Sequence, residues 1–177
     1  GGLLPSLDDP GLRRSGPGMI DFYAPGDGTL RANGRELHIK GANWFGTEGQ
    51  HAVLYGLEKR SLDDLLAFLA ANGFNALRLP LAVDNVISDA EVGKWSLTAN
   101  TDWRGSSSLQ IVEKIVELAA PRGLLVMLDM HRLRAAVWPT THGLWHDEGM
   151  PAARLEDAWR LLARQFCGHW NVFAADL

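Results

Sequence analysis

The sequence predicts an α/β fold on a parallel sheet, and three observations carry that prediction. From residue 39 onward, strand-like apolar runs alternate with stretches of helical spacing in the order β, α, β, α, β, α, β. The strands are nearly continuous in apolar residues, as strands covered on both faces are. Polar residues gather at the strand ends: Asn43, Arg78, and Asp129 with His131. Such alternation means a parallel sheet joined by right-handed crossovers. Two architectures satisfy it, an open doubly wound sheet and a closed eight-stranded βα barrel. No Gly-rich phosphate fingerprint follows the first of these strands, because GANWFG lacks the spacing, so the dinucleotide-binding open sheet loses support.

Residues 1–18, GGLLPSLDDPGLRRSGPG, are dense in Gly, Pro, Asp and Ser without a period and read as a flexible lead-in to a domain over 19–177. Asn33-Gly34 then lies between two short alternating runs, a hairpin signal because both positions tolerate positive φ. A third strand follows near Ile39 to Asn43. Ser61, with Asp64 three residues on, opens a helix carrying Leu62, Leu65, Leu66 and Leu69, and Asn72-Gly73 stops it. FNALRLP at 74–80 is a strand closed by a proline, followed by a long loop to about Ser107. A helix then places Leu109, Val112, Ile115, Val116 and Ala119 on one side, and Gly123 ends it before the strand LLVMLDMH. A second long loop reaches Pro151. The segment to Cys167 is helical by the spacing of Leu155, Ala158, Trp159, Leu162 and Phe166, and NVFAADL at 171–177 is the last strand.

Composition excludes several functions. The 177 residues carry a formal net charge of -4, which gives no broad basic field for nucleic acid or an anionic membrane, and suits a neutral substrate. The longest apolar stretch, around Leu124 to Leu128, is strand-sized, so no membrane-spanning helix is expected. Cys167 is the only cysteine, which rules out a disulfide within the chain. There are seven tryptophans against two tyrosines, and Trp44, Trp95, Trp103, Trp138 and Trp145 fall in stretches that read as loop. Such residues either roof the ends of a core or offer flat faces to flat ligands such as sugar rings.

Residues two apart on a strand share a face, so Asp129 and His131 lie together at the end of their strand, with Arg78 and Asn43 at the ends of theirs. Each has a structural reading. Arg78 within a parallel sheet needs a partner, and Asp129 can serve in a purely structural ion pair. His131 alone suits a hydrogen-bonded structural histidine. Their convergence at one rim favours a site, because that is where both candidate architectures bind ligands. THGLWHDEG at 141–149 sets His142 and His146 four apart beside Asp147 and Glu148, but its Thr and Gly neighbours mark a loop rather than a helical metal pair. A metal-dependent hydrolase would have to assemble Asp129, His131, His142 and His146. Glu48, after Trp44, reads as a solvated or loop-tying carboxylate.

The stretches IKGANWFG, SLDDLLAFLAANGFNALRLPL, SLQIVEKIVELAAPRGLLVMLDMHR and NVFAADL, in that order and spacing, resemble the N-terminal half of glycoside hydrolase family 5. This is the family of cellulase-type TIM (β/α)8 barrels, and the likeness is to its endoglucanase branch. The most specific part is Asn-x-x-Arg-Leu-Pro followed by a strand ending Asp-x-His-Arg. The resemblance implies retaining hydrolysis of β-linked polysaccharides by two glutamates roughly 5 Å apart, through a covalent glycosyl-enzyme, with no cofactor and no metal. It makes Arg78 the supporter of the nucleophile, His131 a contact to the sugar beside the scissile bond, Trp44 an aromatic platform and Asp129 an orienting residue. It also implies a secreted protein.

In the family the acid/base glutamate lies in an Asn-Glu-Pro motif just after the fourth barrel strand, and the nucleophile three strands later; this chain holds neither motif. The expectation is therefore about four βα units of a barrel truncated after strand four, with both catalytic glutamates beyond Leu177. A four-stranded half-barrel has unpaired edges and an open interior, so it would need its missing half. The competing expectation is a non-catalytic carbohydrate-binding or vestigial half-barrel.

Overall fold

In the computed structural model, residues 20–137 and 144–177 are described. The lead-in, Trp138 and His142 lie outside them. Three short antiparallel strands come first, β1 (Phe22–Tyr23), β2 (Arg31–Ala32) and β3 (Arg35–Glu36), in the order β1-β2-β3. Asn33 and Gly34 both take positive φ, 48° and 83°, as the tight turn between β2 and β3 requires. The pairing of β1 with β2 is an addition to the expected hairpin.

Four parallel strands form the main sheet in sequential order: β4 (Gly41–Asn43), β5 (Ala76–Ala82), β6 (Leu125–Arg132) and β7 (Val172–Asp176). Helices α1 (Leu62–Ala71), α2 (Val83–Ser88), α3 (Ser108–Ala119) and α4 (Ala152–Phe166) lie between them in the chain. Ser61 caps α1 by accepting from the Asp64 amide, and Asp63 and Asp64 stand where the helix dipole favours negative charge. At α3, Ser107 and Gln110 exchange both bonds of a capping box.

The two faces of the sheet are covered differently. Leu77, Leu79 and Leu81 of β5, with Val126 and Leu128 of β6, point into the main core with Leu62, Leu66, Ile115, Val116, Ala158, Leu162 and Phe166 of the helices. On the opposite face, Ala76 and Leu125, near the amino ends of their strands, pack under Ala32 and Leu37, with Phe22, Trp170 and Phe173 against them. The antiparallel strands thus cover the amino end of that face and leave its carboxyl end open.

Two expectations are corrected. The proline does not close β5, which runs two residues further to Ala82. Pro80 lies two residues after Arg78, whose carbonyl accepts from the Trp44 amide, and therefore faces the β4 side, where the ladder has already ended. Its missing N–H costs no strand bond, and its carbonyl accepts from the Thr47 hydroxyl at 2.7 Å. The stretch after β5 is also not a plain loop. It holds α2 and two 3-10 turns, Lys94–Leu97 and Thr101–Trp103. The apolar positions Val83, Val86, Val92 and Leu97 are buried, but too few to reveal a period.

Candidate active site

Arg78 is the centre of the carboxyl-end rim. Its Nη1 donates to Asn43 Oδ1 of β4 at 3.2 Å, and its Nε and Nη2 donate to Asp176 Oδ2 of β7 at 3.0 and 2.8 Å. Nη2 also lies 2.9 Å from Asp129 Oδ2 of β6. One guanidinium on β5 therefore holds the other three strands of the parallel sheet. His131 Nδ1 sits 3.0 Å from the same Asp129 oxygen. The contacts of that oxygen are close in distance but not aligned as good hydrogen bonds. They hold it mainly by charge.

Asp129 is only 3% exposed, and burial, the largest influence, pushes its carboxyl above the usual range. Arg78 and His131 pull it back down, while the Asp176 carboxylate pushes it up.

The expected grouping of Asn43, Arg78, Asp129 and His131 is present in the structure. Asp176 is the member that sequence reasoning missed, and a bulge explains why. Val126 pairs with Val172, but Met127 pairs with Ala174, so Phe173 is an extra residue in β7. Simple alternation from Val172, which packs on the helix side, would send Asp176 to that side too. The extra residue reverses the parity and sets Asp176 opposite Asp129. A second bulge lies in β6, where Leu81 pairs with Met130 and Ala82 with Arg132, leaving His131 as the extra residue. Both irregularities lie in the two strands that supply carboxylates to Arg78.

Beside Arg78, a hollow of about 240 Å³ opens on the same face, lined by Asn43, Ala76, Met127 and Phe173 among others. A second hollow, of about 180 Å³, runs from His131 and Arg132 to Leu144 and Trp145.

Trp44 is half-buried against the main core, and its indole Nε1 donates to the Tyr55 carbonyl at 2.8 Å. Trp103 also packs on that core, whereas Trp95 and Trp145 are exposed. Glu48 is buried, not solvated; its Oε2 accepts from the Gly46 amide at 2.6 Å and its Oε1 lies 4.0 Å from Arg132 Nη2. It ties the loop after β4 to the end of β6. Asp147 is bound by Arg134 through both carboxylate oxygens, and that contact lowers its pKa to about 2. His146 stacks edge-on against Trp145. Among the described residues no three His, Cys, Asp or Glu side chains are grouped to hold a metal, and no helix is long and apolar enough to cross a membrane.

The chain is similar to known endoglucanases. An endoglucanase of Paenibacillus polymyxa is 31% identical over 159 residues, 88% of this chain and 38% of that protein. The major extracellular endoglucanase of Xanthomonas campestris pv. campestris is 35% identical over 99 residues, 56% of this chain and 20% of that one. The endocellulase of Pyrococcus horikoshii, solved in complex with cellotetraose, superimposes with a TM-score of 0.79 at 35% identity, over 89% of this chain and 42% of that one. The chain thus spans about two fifths of the length of the first and third of these proteins and less of the second. The model of the cellulase family, glycosyl hydrolase family 5, matches residues 30–177, and the chain belongs to that family.

Proposed function

We propose that this chain is the arginine–histidine wall of a retaining endo-β-glucanase, the first four strands of a TIM barrel whose remaining strands are not among its residues. The observation that carries this reading is the Arg78 cluster, which joins the carboxyl ends of four sequential parallel strands on the open face. That is the end at which βα barrels build their sites. The similarity to endoglucanases supports a β-linked glucan as substrate and a secreted protein as its setting. In this reading residues 19–177 are the partial catalytic barrel and residues 1–18 its lead-in.

The residues act by position and charge. Arg78 stands at the rim as a fixed cation, suited to hold the nucleophilic carboxylate in its ionised form. Asp129, 3.0 Å from Nδ1 of His131, keeps that edge of the ring against the carboxylate, so the opposite edge is the one offered to a sugar hydroxyl. Trp44 offers the exposed part of its indole to a sugar face. The acid/base and nucleophile glutamates come from outside this chain. Asp129 and Asp176 do not replace them, because both bind one guanidinium rather than face each other across a gap for a sugar.

Calorimetric titration of the 177-residue chain with cellotetraose, alongside a reducing-sugar assay on soluble cellulose, tests this. Binding that His131→Ala abolishes, without hydrolysis, is the expected result. Hydrolysis by the chain alone would refute the placement of the glutamates, and absence of binding by a folded chain would refute the wall.

A further inference from the structure

The loops after β4 and β5 are braced into one unit. Asn100, largely buried, accepts from the Leu62 amide at 2.9 Å and donates to the carbonyls of Leu57 and Arg60 at 2.8 and 2.9 Å. The Ala99 amide reaches the Leu57 carbonyl, and the Ser108 hydroxyl reaches the Ala52 carbonyl at 2.6 Å. Asn85 donates to the carbonyls of Thr47 and Gly49, both at 2.8 Å. Gly46, at φ 134°, lets residues 53–55 fold onto it: a Cβ there would lie 2.8 Å from the Tyr55 nitrogen.

This stiff unit carries exposed aromatic rings that the Arg78 cluster does not use. Phe45 follows Asn43 by two residues on backbone still bonded in extended fashion, from Trp44 to Arg78 and from Tyr55 to Phe45, so it continues on Asn43's side. Its ring lies 4.9 Å from that of Tyr55, with both largely exposed. Trp95 is 54% exposed although its neighbours Ser96 and Leu97 are buried. Its indole lies against Gly93, where a Cβ would come within 3.0 Å of Nε1, and its ring meets His51 edge-on at 4.6 Å. The Thr98 hydroxyl closes the turn on the Trp95 carbonyl at 2.7 Å. The backbone under Trp95 is thus anchored while much of its ring stays in solvent.

We propose that Phe45–Tyr55 and Trp95–His51 form an accessory β-glucan-binding surface that stacks the apolar faces of pyranose rings beyond the Arg78–His131 site. This rests on the glucanase reading. A sugar ring has C–H faces and a rim of hydroxyls, so it recognises a flat aromatic face without needing a charged partner. That chemistry fits two aromatic ledges on loops that leave the sheet at the rim holding Arg78. Trp103, by contrast, packs against the main core.

The test is binding of the 177-residue chain and its Trp95→Ala, Trp95→Phe and Tyr55→Ala variants to insoluble cellulose and to cellobiose, with circular dichroism of each. Phe68→Ala, which removes an exposed ring from the outer face of α1, is the control. Trp95→Ala and Tyr55→Ala should each weaken binding to cellulose roughly five- to tenfold, Trp95→Phe should restore much of the loss, and cellobiose binding and the control should be unchanged. If the wild-type chain binds cellulose and the folded variants bind equally well, the accessory surface is refuted and the glucanase reading stands. If the folded wild-type chain binds no glucan, both fall.

Discussion

Replacing Arg78 by methionine isolates the work done by the charge cluster. The substitution keeps the packing of the side-chain stem and removes a cation shared by two carboxylates. The Asp176 end contributes little to the cost, because that carboxylate is 45% exposed and water takes over its solvation. The Asp129 end decides the outcome, because a carboxylate whose side chain is 5% exposed loses its main counter-charge. Stranding a buried charge costs about 3 kcal/mol, toward the low end for broken buried pairs because Arg78 is itself partly exposed. For a chain of this size that loss lowers the melting temperature by roughly 6–12 °C.

The cost must depend on pH. Asp129 already titrates above the ordinary carboxylate range, so its contribution to stability is fully present below that range and is lost as pH rises through its folded pKa. Without Arg78 the carboxyl moves further up, and protonation relieves the stranded charge at mildly acidic pH. Urea denaturation followed by circular dichroism should therefore show the full loss near neutrality and a smaller one at about pH 5. Adding Asp129→Asn should recover much of the neutral-pH loss. An equal penalty at both pH values, with no recovery in the double variant, would refute the account.

Two other perturbations probe the loops. Asn100→Ala removes three hydrogen bonds, two of them buried, that tie the loop after β5 to the loop after β4 and the start of α1, and it leaves the Leu57 carbonyl and Leu62 amide without those partners, so urea denaturation should show a loss of about 2–3 kcal/mol. Asp147 should titrate near its depressed value of about 2 in a carbon-detected NMR titration. The stabilisation from its pairing with Arg134 is present above the ordinary carboxylate range and is lost as pH falls through that value. Arg134→Met should return Asp147 toward ordinary behaviour, and an unchanged Asp147 would rule out the pair as the cause.

The parts of the fold legible in the sequence are those set by local rules. The helix with Leu109, Val112, Ile115, Val116 and Ala119 on one side is found with those residues buried, and Asn33-Gly34 makes the turn its φ tolerance implies. The grouping of Arg78, Asp129 and His131 was legible because strand alternation holds across most of β5 and β6. Asp176 was not, because one extra residue in β7 inverts the parity and no residue type announces a bulge at Phe173. The six residues of α2 lay hidden for another reason: a helix under two turns gives no measurable period, and its place is set by packing rather than propensity. For Glu48 the sequence left a solvated and a loop-tying carboxylate both open, because it cannot show that Gly46 and Arg132 come to meet it, and the structure shows the second.

On the proposed accessory surface, the bracing of the two rim loops bears on affinity as well as stability. Stacking a sugar on an aromatic ring gains little if the ring must first be immobilised, since each ordered side chain and loop segment costs free energy on binding. Trp95 has its backbone fixed by the Gly93 turn and its ring edge fixed by His51, and Asn100 holds that turn to the loop bearing Tyr55. Much of the ordering cost is therefore met during folding. It follows that Asn100→Ala, which touches no exposed ring, should weaken cellulose binding by a few-fold at temperatures where the variant remains folded, while cellobiose binding stays the same. A variant that loses stability but keeps full cellulose affinity would show that the ledges do not depend on the brace.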